Sequence, residues 1–310
     1  MKFSFFAALL LLSVQPLFAL DPAPAPAFEV TDAWLANIAN RAPENPLVAP
    51  KQKRTILIFS RMTGFKHWCT PHTANVVKIL GEKSGAYRTV ISDDLRHFEP
   101  ENIKQYDVIV LNNTCSIGPG RHLFYDVLGD REQAKALENS LISHIKEGHG
   151  LVAIHGAIVA FNNSEQFSEM MGGSFDFHPA QQIVTGKLVD PDHPITSAFD
   201  GEPLVHVDEP YLFNKAYLDY NFHPLLRMQL EPDAPKDKRI KNLATEKDSV
   251  ERYISWIKPY GKGRVFYSSP SHNAQSFEQP ELLQFLLNGI QYAAGDLECD
   301  DTPLKQMSKK

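Results

Sequence analysis

Gly150-Leu-Val-Ala-Ile-His155-Gly-Ala157 is the stretch on which the reading of this chain turns. It is an apolar run of strand length, entered through Gly148-His149-Gly150, and it stops on a histidine followed by two small residues. In a parallel α/β sheet, the residue at the carboxyl end of a strand projects into the crevice where ligands bind. A Gly and an Ala directly afterwards allow the close backbone approach that a tight turn needs. His155 is therefore predicted at the floor of a ligand site.

The pattern upstream supports that placement. Thr55-Ile-Leu-Ile-Phe59 is a continuous apolar run, as for a strand buried on both faces. Ala86–Ile91 and Tyr106–Leu111 read as further strands. Between them, Thr70 as cap with Pro71 in the first turn starts a helix that buries Val76, Val77 and Leu80. Asp130 with Gln133 three residues on starts another, with Ala134, Leu137, Leu141, Ile142 and Ile145 on one face and a stop at Gly148. Strand and helix thus alternate four times, which predicts a parallel, doubly wound α/β sheet with its strand-to-helix loops on one rim. His67, Asp93, Asp94, Asn113 and His155 all fall on that rim.

The second half changes character. Strand-like pieces separated by Pro- and Asp-rich turns run from Gln181 to Met228, and residues 231–250 form a charged surface excursion. Arg252–Ile257 and Arg264–Ser268 read as a hairpin through Gly261-Lys-Gly263, followed by Ser269-Pro-Ser-His272 and a helix from Pro280 with Leu282, Leu283, Leu286 and Ile290. The architecture expected is one α/β domain over residues 51–298, with a β-rich insertion over its active edge and a loose tail at 299–310.

Lys2, the apolar run Phe3–Leu12 and Leu17-Phe-Ala19 read as a secretory signal peptide over residues 1–20, too short for a membrane span; an uncleaved anchor is the alternative. Residues 21–50 supply a Pro/Ala-rich linker and a short helix with Trp34, Leu35 and Ile38 on one side. The mature protein is thus expected outside the cytoplasm, periplasmic or secreted, with no stable membrane span. A net charge of −6 without a basic stripe speaks against nucleic-acid binding. Three cysteines without C-x-x-C spacing leave no thiolate zinc site and at most one disulfide.

Twelve histidines invite metal or acid–base readings. His97, His122, His144 and His149 read as solvated loop or helix positions, and His193 and His223 as turn residues before prolines. The strand-end rule singles out His67, His155, His178 in Met171-Gly-Gly-Ser-Phe-Asp-Phe-His178, and His272. Asp208-Glu-Pro-Tyr211 is the acidic cluster with a sharp shape. Neighbouring carboxylates on a strand point to opposite faces, so one of the two, with Glu209 favoured over Asp208, is expected to reach the site. His155, His178, His272 and Glu209 could ligate a zinc-type divalent metal with an open position, or act as general acid and base without one. None of the spacings is a local ligand motif, and both chemistries stay open at this level. No phosphate-binding glycine loop and no serine nucleophile elbow is present.

Taken together, Thr63-Gly-Phe-Lys-His67, Leu111-Asn-Asn-Thr114, Gly150 to Ala157, Gly172-Gly-Ser-Phe-x-Phe-His178, Asp192-His-Pro-Ile-Thr196, Asp208-Glu-Pro-Tyr211 and Gly263-Arg-Val-Phe-Tyr267 resemble the ThuA-like (trehalose utilisation) family. The resemblance implies a class I glutamine amidotransferase-like, flavodoxin-like fold. It also implies a carbohydrate substrate: a disaccharide, an oligosaccharide or a 3-keto derivative. Amidotransferases of that fold carry a nucleophilic cysteine at the strand-to-helix elbow, where this chain has His155, so thioester chemistry is not expected. The leading expectation is a sugar-processing enzyme with His155, His178, Glu209 and His272 at its centre and His67, Asn113, Asp208 and Tyr211 binding or orienting the substrate. A non-catalytic carbohydrate-binding protein and a Cys115-dependent amidohydrolase are the rival readings.

Overall fold

The computed structural model describes residues 25–117, 120–229 and 252–307. The stretch read as a signal peptide, the first residues of the expected linker and the expected charged excursion at 231–250 lie outside the described residues. Among the described residues, no helix is long and apolar enough to cross a membrane.

The apolar runs form the strands β1 (Thr55–Phe59), β3 (Val108–Asn112) and β4 (Gly150–Ile154), each buried along its whole length. With β2 (Arg88–Ser92) and β11 (Gly263–Ser268) they build a parallel array in the order β2-β1-β3-β4-β11. Successive residues point to opposite faces of a strand, and two separate cores result. Ile56, Ile58, Val108, Val110, Val152 and Ile154 meet helices α1 (Asp32–Arg41), α2 (Thr70–Ser84) and α7 (Pro280–Ala293) on one face. Leu57, Phe59, Ile109, Leu111, Leu151 and Ala153 meet α4 (Leu123–Leu128), α5 (Arg131–Glu147) and α6 (Glu165–Met171) on the other. Each such side chain contributes about 1.5–3 kcal/mol by leaving water, which is why a run apolar at every position must lie between two helical layers. A short helix α3 (Pro100–Ile103) leads into β3.

The second half departs from the expected insertion. Strands β6 (Gln182–Leu188), β7 (Leu204–Asp208), β9 (His223–Gln229) and β10 (Arg252–Tyr260) continue the main sheet beyond β11, all antiparallel, in the order β11-β10-β9-β6-β7. The cause lies in β10, whose Tyr253-Ile-Ser-Trp-Ile257 is buried throughout and therefore needs a strand on each side. Only β5 (Ser174–Phe177) and β8 (Leu212–Asn214) stand apart as a two-stranded ribbon. Four antiparallel steps from β11 return β7 to the direction of the parallel strands. Its carboxyl end, Asp208, therefore lies on the same rim as those of β3, β4 and β11.

Helix ends follow the sequence signals with one exception. Asp130 caps α5 by accepting from Glu132 N and Gln133 N at 2.9 and 3.0 Å, and Asp130→Ala is expected to cost about 1 kcal/mol in denaturant unfolding. Thr70, predicted as a cap, is instead the first residue of α2; its hydroxyl donates back to His67 O at 2.8 Å and so fastens the loop that carries His67. α1 is part of the domain, with Trp34 and Ile38 buried.

The expected loose tail is also docked as far as Met307. Leu304 and Lys305 donate to Phe222 O and Tyr220 O at the start of α8 (Leu304–Met307), and the rings of His193 and His223 bond to Asp300 O and Thr302 O at 3.0 Å. Those two histidines, read as turn residues, are buried because they hold this segment. His122 and His144 are buried as well: His122 pairs with Glu138 at 3.2 Å and caps α4, and His144 bonds Tyr106 O at 2.9 Å. Solvation explains neither.

Candidate metal centre and its cavity

The rim is where the backbone is strained. Of seven non-glycine residues with positive φ among the described residues, three follow neighbouring strands: Asn113 (53°) after β3, His155 (48°) after β4 and Ser271 (116°) after β11. Each such conformation costs on the order of 1–3 kcal/mol and persists only where its surroundings hold it. Here they do. Asn113 Oδ1 accepts from Gly156 N at 3.4 Å, the Cys115 thiol donates to Gly156 O at 3.3 Å, and Tyr267 donates to His155 O at 3.3 Å. A side chain at Gly156 would put Cβ 2.6 Å from His67 Cε1 and 2.7 Å from Cys115 Sγ, so the glycine makes room for the His67 ring.

Four side chains converge above this turn. One ligand atom from each of His67, His155, Glu209 and His272 lies within 4.8 Å of the other three. His155 Nε2 is 3.1 Å from His272 Nδ1 and 3.5 Å from Glu209 Oε2, and His272 Nδ1 is 3.1 Å from Glu209 Oε2. The three histidines are almost wholly buried. His155 Nδ1 lies 2.8 Å from Ser269 O; a carbonyl only accepts, so that nitrogen carries the proton and Nε2 offers its lone pair to the centre. His67 Nε2 is buried with no hydrogen-bond partner among the described residues, an orphan that a ligand at the centre would satisfy.

Asp208 stands behind this group. Its Oδ2 accepts from Ser271 N at 2.8 Å and His272 N at 3.3 Å and pairs with His206 Nε2 at 3.1 Å, while Oδ1 accepts from Glu209 N at 2.7 Å. Asp208 Oδ1 is also 3.9 Å from His155 Nδ1. The two adjacent carboxylates therefore flank the same imidazole from its two nitrogens. Glu209 lines the cavity, while Asp208, expected to bind or orient the substrate, is buried behind it; both still face one imidazole, because β7 ends at Asp208 and Glu209 has already left the strand.

The electrostatics follow from these contacts. Burial alone would raise the Glu209 carboxyl, but hydrogen bonds to His155 and His272 and their charges outweigh it and hold Glu209 well below the usual carboxylate range. Asp208 is lowered in the same way, against burial, chiefly by His206. Burial would lower His155, yet the Glu209 hydrogen bond and both carboxylate charges raise it. His67, by contrast, is pushed down to about 2 by burial and by the neighbouring His155 and His272. Cys115 is pushed up to about 12, by burial first and Glu209 second. A thiol held so far from ionisation is a poor nucleophile, which weighs against the amidohydrolase reading.

The centre opens onto a cavity of about 280 Å3 whose walls include His67, Glu209, His178, Tyr211, Phe175 and Phe65. His178, expected among the four central residues, lies in the wall, about a third exposed. Its Nδ1 bonds Pro179 O at 2.9 Å and its Nε2 is 3.6 Å from Glu209 Oε2, and it stacks on Tyr211 with ring centroids 5.4 Å apart. His67, expected to bind substrate, takes the central place expected for His178. Asn113, expected to bind substrate, is fully buried and clamps the turn instead. Phe177, two residues from Phe175 on the same strand, belongs instead to the core on the α2 and α7 side. His206 joins the site without any motif of its own; its spacing of two from Asp208 on a strand places both side chains on one face.

Residues 55–293 match the ThuA family, described as trehalose utilisation. A ThuA-like protein from Bacteroides uniformis ATCC 8492 has the same fold, with a TM-score of 0.56 at 19% identity, covering 79% of this chain and 92% of its own. A ThuA-like protein from Parabacteroides merdae ATCC 43184 aligns at 0.56 and 17% identity, over 82% of this chain and 96% of its own. No curated protein matches the chain in sequence. The family match spans the eleven strands of the described residues and the helices between them, from β1 to α7, and the chain belongs to the ThuA family.

Proposed function

We propose that this protein is an exported enzyme acting on a disaccharide, an oligosaccharide or a 3-keto-sugar derivative, with a divalent transition metal of the zinc type held by His67, His155, Glu209 and His272. The scaffold is read as the flavodoxin-like, doubly wound sheet of the amidotransferase-like fold, and the export reading rests on residues 1–20. One observation carries the chemical part: three buried imidazoles and the Glu209 carboxylate each bring a donor atom within 4.8 Å of the others, and His67 Nε2 is buried with no hydrogen-bond partner among the described residues. Three imidazoles and one carboxylate are a donor set for zinc and its neighbours. The field agrees, because the carboxylates that raise His155 favour any cation placed between them.

A bound metal would polarise a sugar oxygen or lower the pKa of a bound water. The other roles fall to the chain. Glu209, held ionised, is poorly suited to accept a proton and serves as a ligand and charge. His178 has its Nδ1 fixed on Pro179 O and its Nε2 at the cavity wall, where an imidazole can pass a proton to or from a substrate hydroxyl. Tyr211, Phe175 and Phe65 supply flat apolar walls for a sugar ring. At about 280 Å3 the cavity is at the small end of ligand pockets, which span about 300–1,000 Å3; it takes one sugar unit, with any second unit at the mouth.

Elemental analysis of protein purified without chelator is the test, with turnover followed over a panel of disaccharides, oligosaccharides and 3-keto-sugars. About one transition-metal ion per chain and metal-dependent turnover are expected. Cys115→Ala is expected to keep its turnover. A metal-free protein that turns over sugars sinks the metal reading alone. A metal-loaded protein that turns over nothing in the panel sinks the enzyme reading in favour of a carbohydrate-binding one.

A further inference from the structure

The same cavity carries a charge that the reading above does not use. Among the described residues lining it, Arg121 is the only permanent cation and Glu209 the only carboxylate. Arg121 is exposed and forms no ion pair with any carboxylate among the described residues. It lies over the wall itself, with the guanidinium carbon 5.9 Å from the centre of the Phe175 ring. An arginine stacked on an aromatic face keeps its planar fork of donors free for a second partner.

Arg121 is also held in place. Its φ of 43° is left-handed, and the next residue is fixed: His122 caps α4, pairs with the buried Glu138 at 3.2 Å and forms a bridge to Phe161. Lys135 and Ser164 complete the Glu138 cluster, Lys135 at 2.9 Å. The strained backbone at Arg121 is thus pinned by a buried network on its carboxyl side, and the side chain is directed along the cavity wall.

The charges around the centre point the same way. A divalent ion among His67, His155, Glu209 and His272 would have its two positive charges matched by Glu209 and Asp208. That leaves the Arg121 guanidinium uncompensated at a partly apolar wall. We propose that the cavity selects acidic sugars, with Arg121 binding a carboxylate or phosphate on the ligand while a neutral part of the same molecule meets the centre. This inference rests on the carbohydrate reading and narrows it to a substrate class; it does not need the reaction type.

Calorimetric titration of the metal-loaded protein with glucose, trehalose, glucuronate and glucose 6-phosphate tests it, in wild type, Arg121→Gln and Arg121→Lys. Since Arg121 is exposed, both variants are expected to melt with the wild type. In wild type, at least one acidic sugar is expected to bind about ten- to a hundredfold tighter than either neutral sugar, the range of a charge-assisted, bidentate contact. Whether glucuronate or glucose 6-phosphate gains more tells carboxylate from phosphate. Arg121→Gln is expected to abolish the preference without weakening neutral-sugar binding, and Arg121→Lys to keep part of it. Equal affinity for acidic and neutral sugars, or a preference that survives Arg121→Gln, overturns the inference and leaves the carbohydrate reading standing. Binding of none of the four overturns both.

Discussion

Glu209→Gln is expected to empty the centre of metal and to lower turnover by more than about a hundredfold. Losing a residue that merely orients a ligand already costs about 10–100-fold in metal affinity or activity, and here the ligand itself loses its charge. Gln keeps the shape of the side chain and one acceptor oxygen. What disappears is the anion 3.1 Å from His272 Nδ1 and 3.5 Å from His155 Nε2. A dication would then face three neutral imidazoles, with Asp208 as the only carboxylate close by. The comparison is made by elemental analysis after equilibration with zinc, and by melting with and without chelator. Wild type is expected to lose stability on chelation, since a ligand present at about 100 times its dissociation constant stabilises by about 2.7 kcal/mol. Glu209→Gln is expected to show no chelator effect. If the variant holds a full equivalent of metal, the cluster is not the site.

The largest stability loss is expected at Asp208. Asp208→Ala should cost about 3–5 kcal/mol, the range for removing one partner from a buried charged network. Four groups lose their acceptor at once: the backbone N–H groups of Ser271, His272 and Glu209, and the imidazole of His206. Asp208→Asn is also expected to destabilise, by about 2 kcal/mol, although it has nearly the same volume. Each carboxylate oxygen accepts from a backbone N–H, Oδ1 from Glu209 and Oδ2 from Ser271 and His272. Whichever way the amide turns, its NH2 group meets a donor. Denaturant unfolding in the presence of chelator isolates this term from metal binding. Two variants as stable as wild type would show that Asp208 does not hold the post-β11 loop against β7.

Much of the fold is legible in the chain because its signals are local. Runs such as Thr55–Phe59 and Gly150–Ile154 are apolar at every position, and only a strand covered on both faces satisfies that pattern. Asp130 and Gly148 bracket a helix through backbone hydrogen bonds that residues a few places away provide. The β-rich half is less legible. Alternating strands can join the edge of a sheet or stack over it, and the choice depends on the long-range need of β10 for two neighbours. The tail is illegible for the same reason: Asp300 and Thr302 have their partners in the rings of His193 and His223, 107 and 79 residues away, and Leu304 donates to Phe222 O.

By itself, the sequence determined that a histidine ends the fourth parallel strand and that His67, His272 and the Asp208-Glu209 pair belong near the same rim. The rule behind this is topological: in a wound sheet, every parallel strand delivers its carboxyl end to one edge. Only the tertiary structure decided which of these side chains meet. It put His67 rather than His178 beside His155, because Gly156 leaves space for that ring while Pro179 and Tyr211 hold His178 in the wall. It turned Asp208 and Glu209 toward one imidazole by ending β7 between them, and it set Arg121 over Phe175 in the cavity wall. These are distances of a few ångströms between residues far apart in the chain, and they depend on packing that periodicity and spacing do not encode.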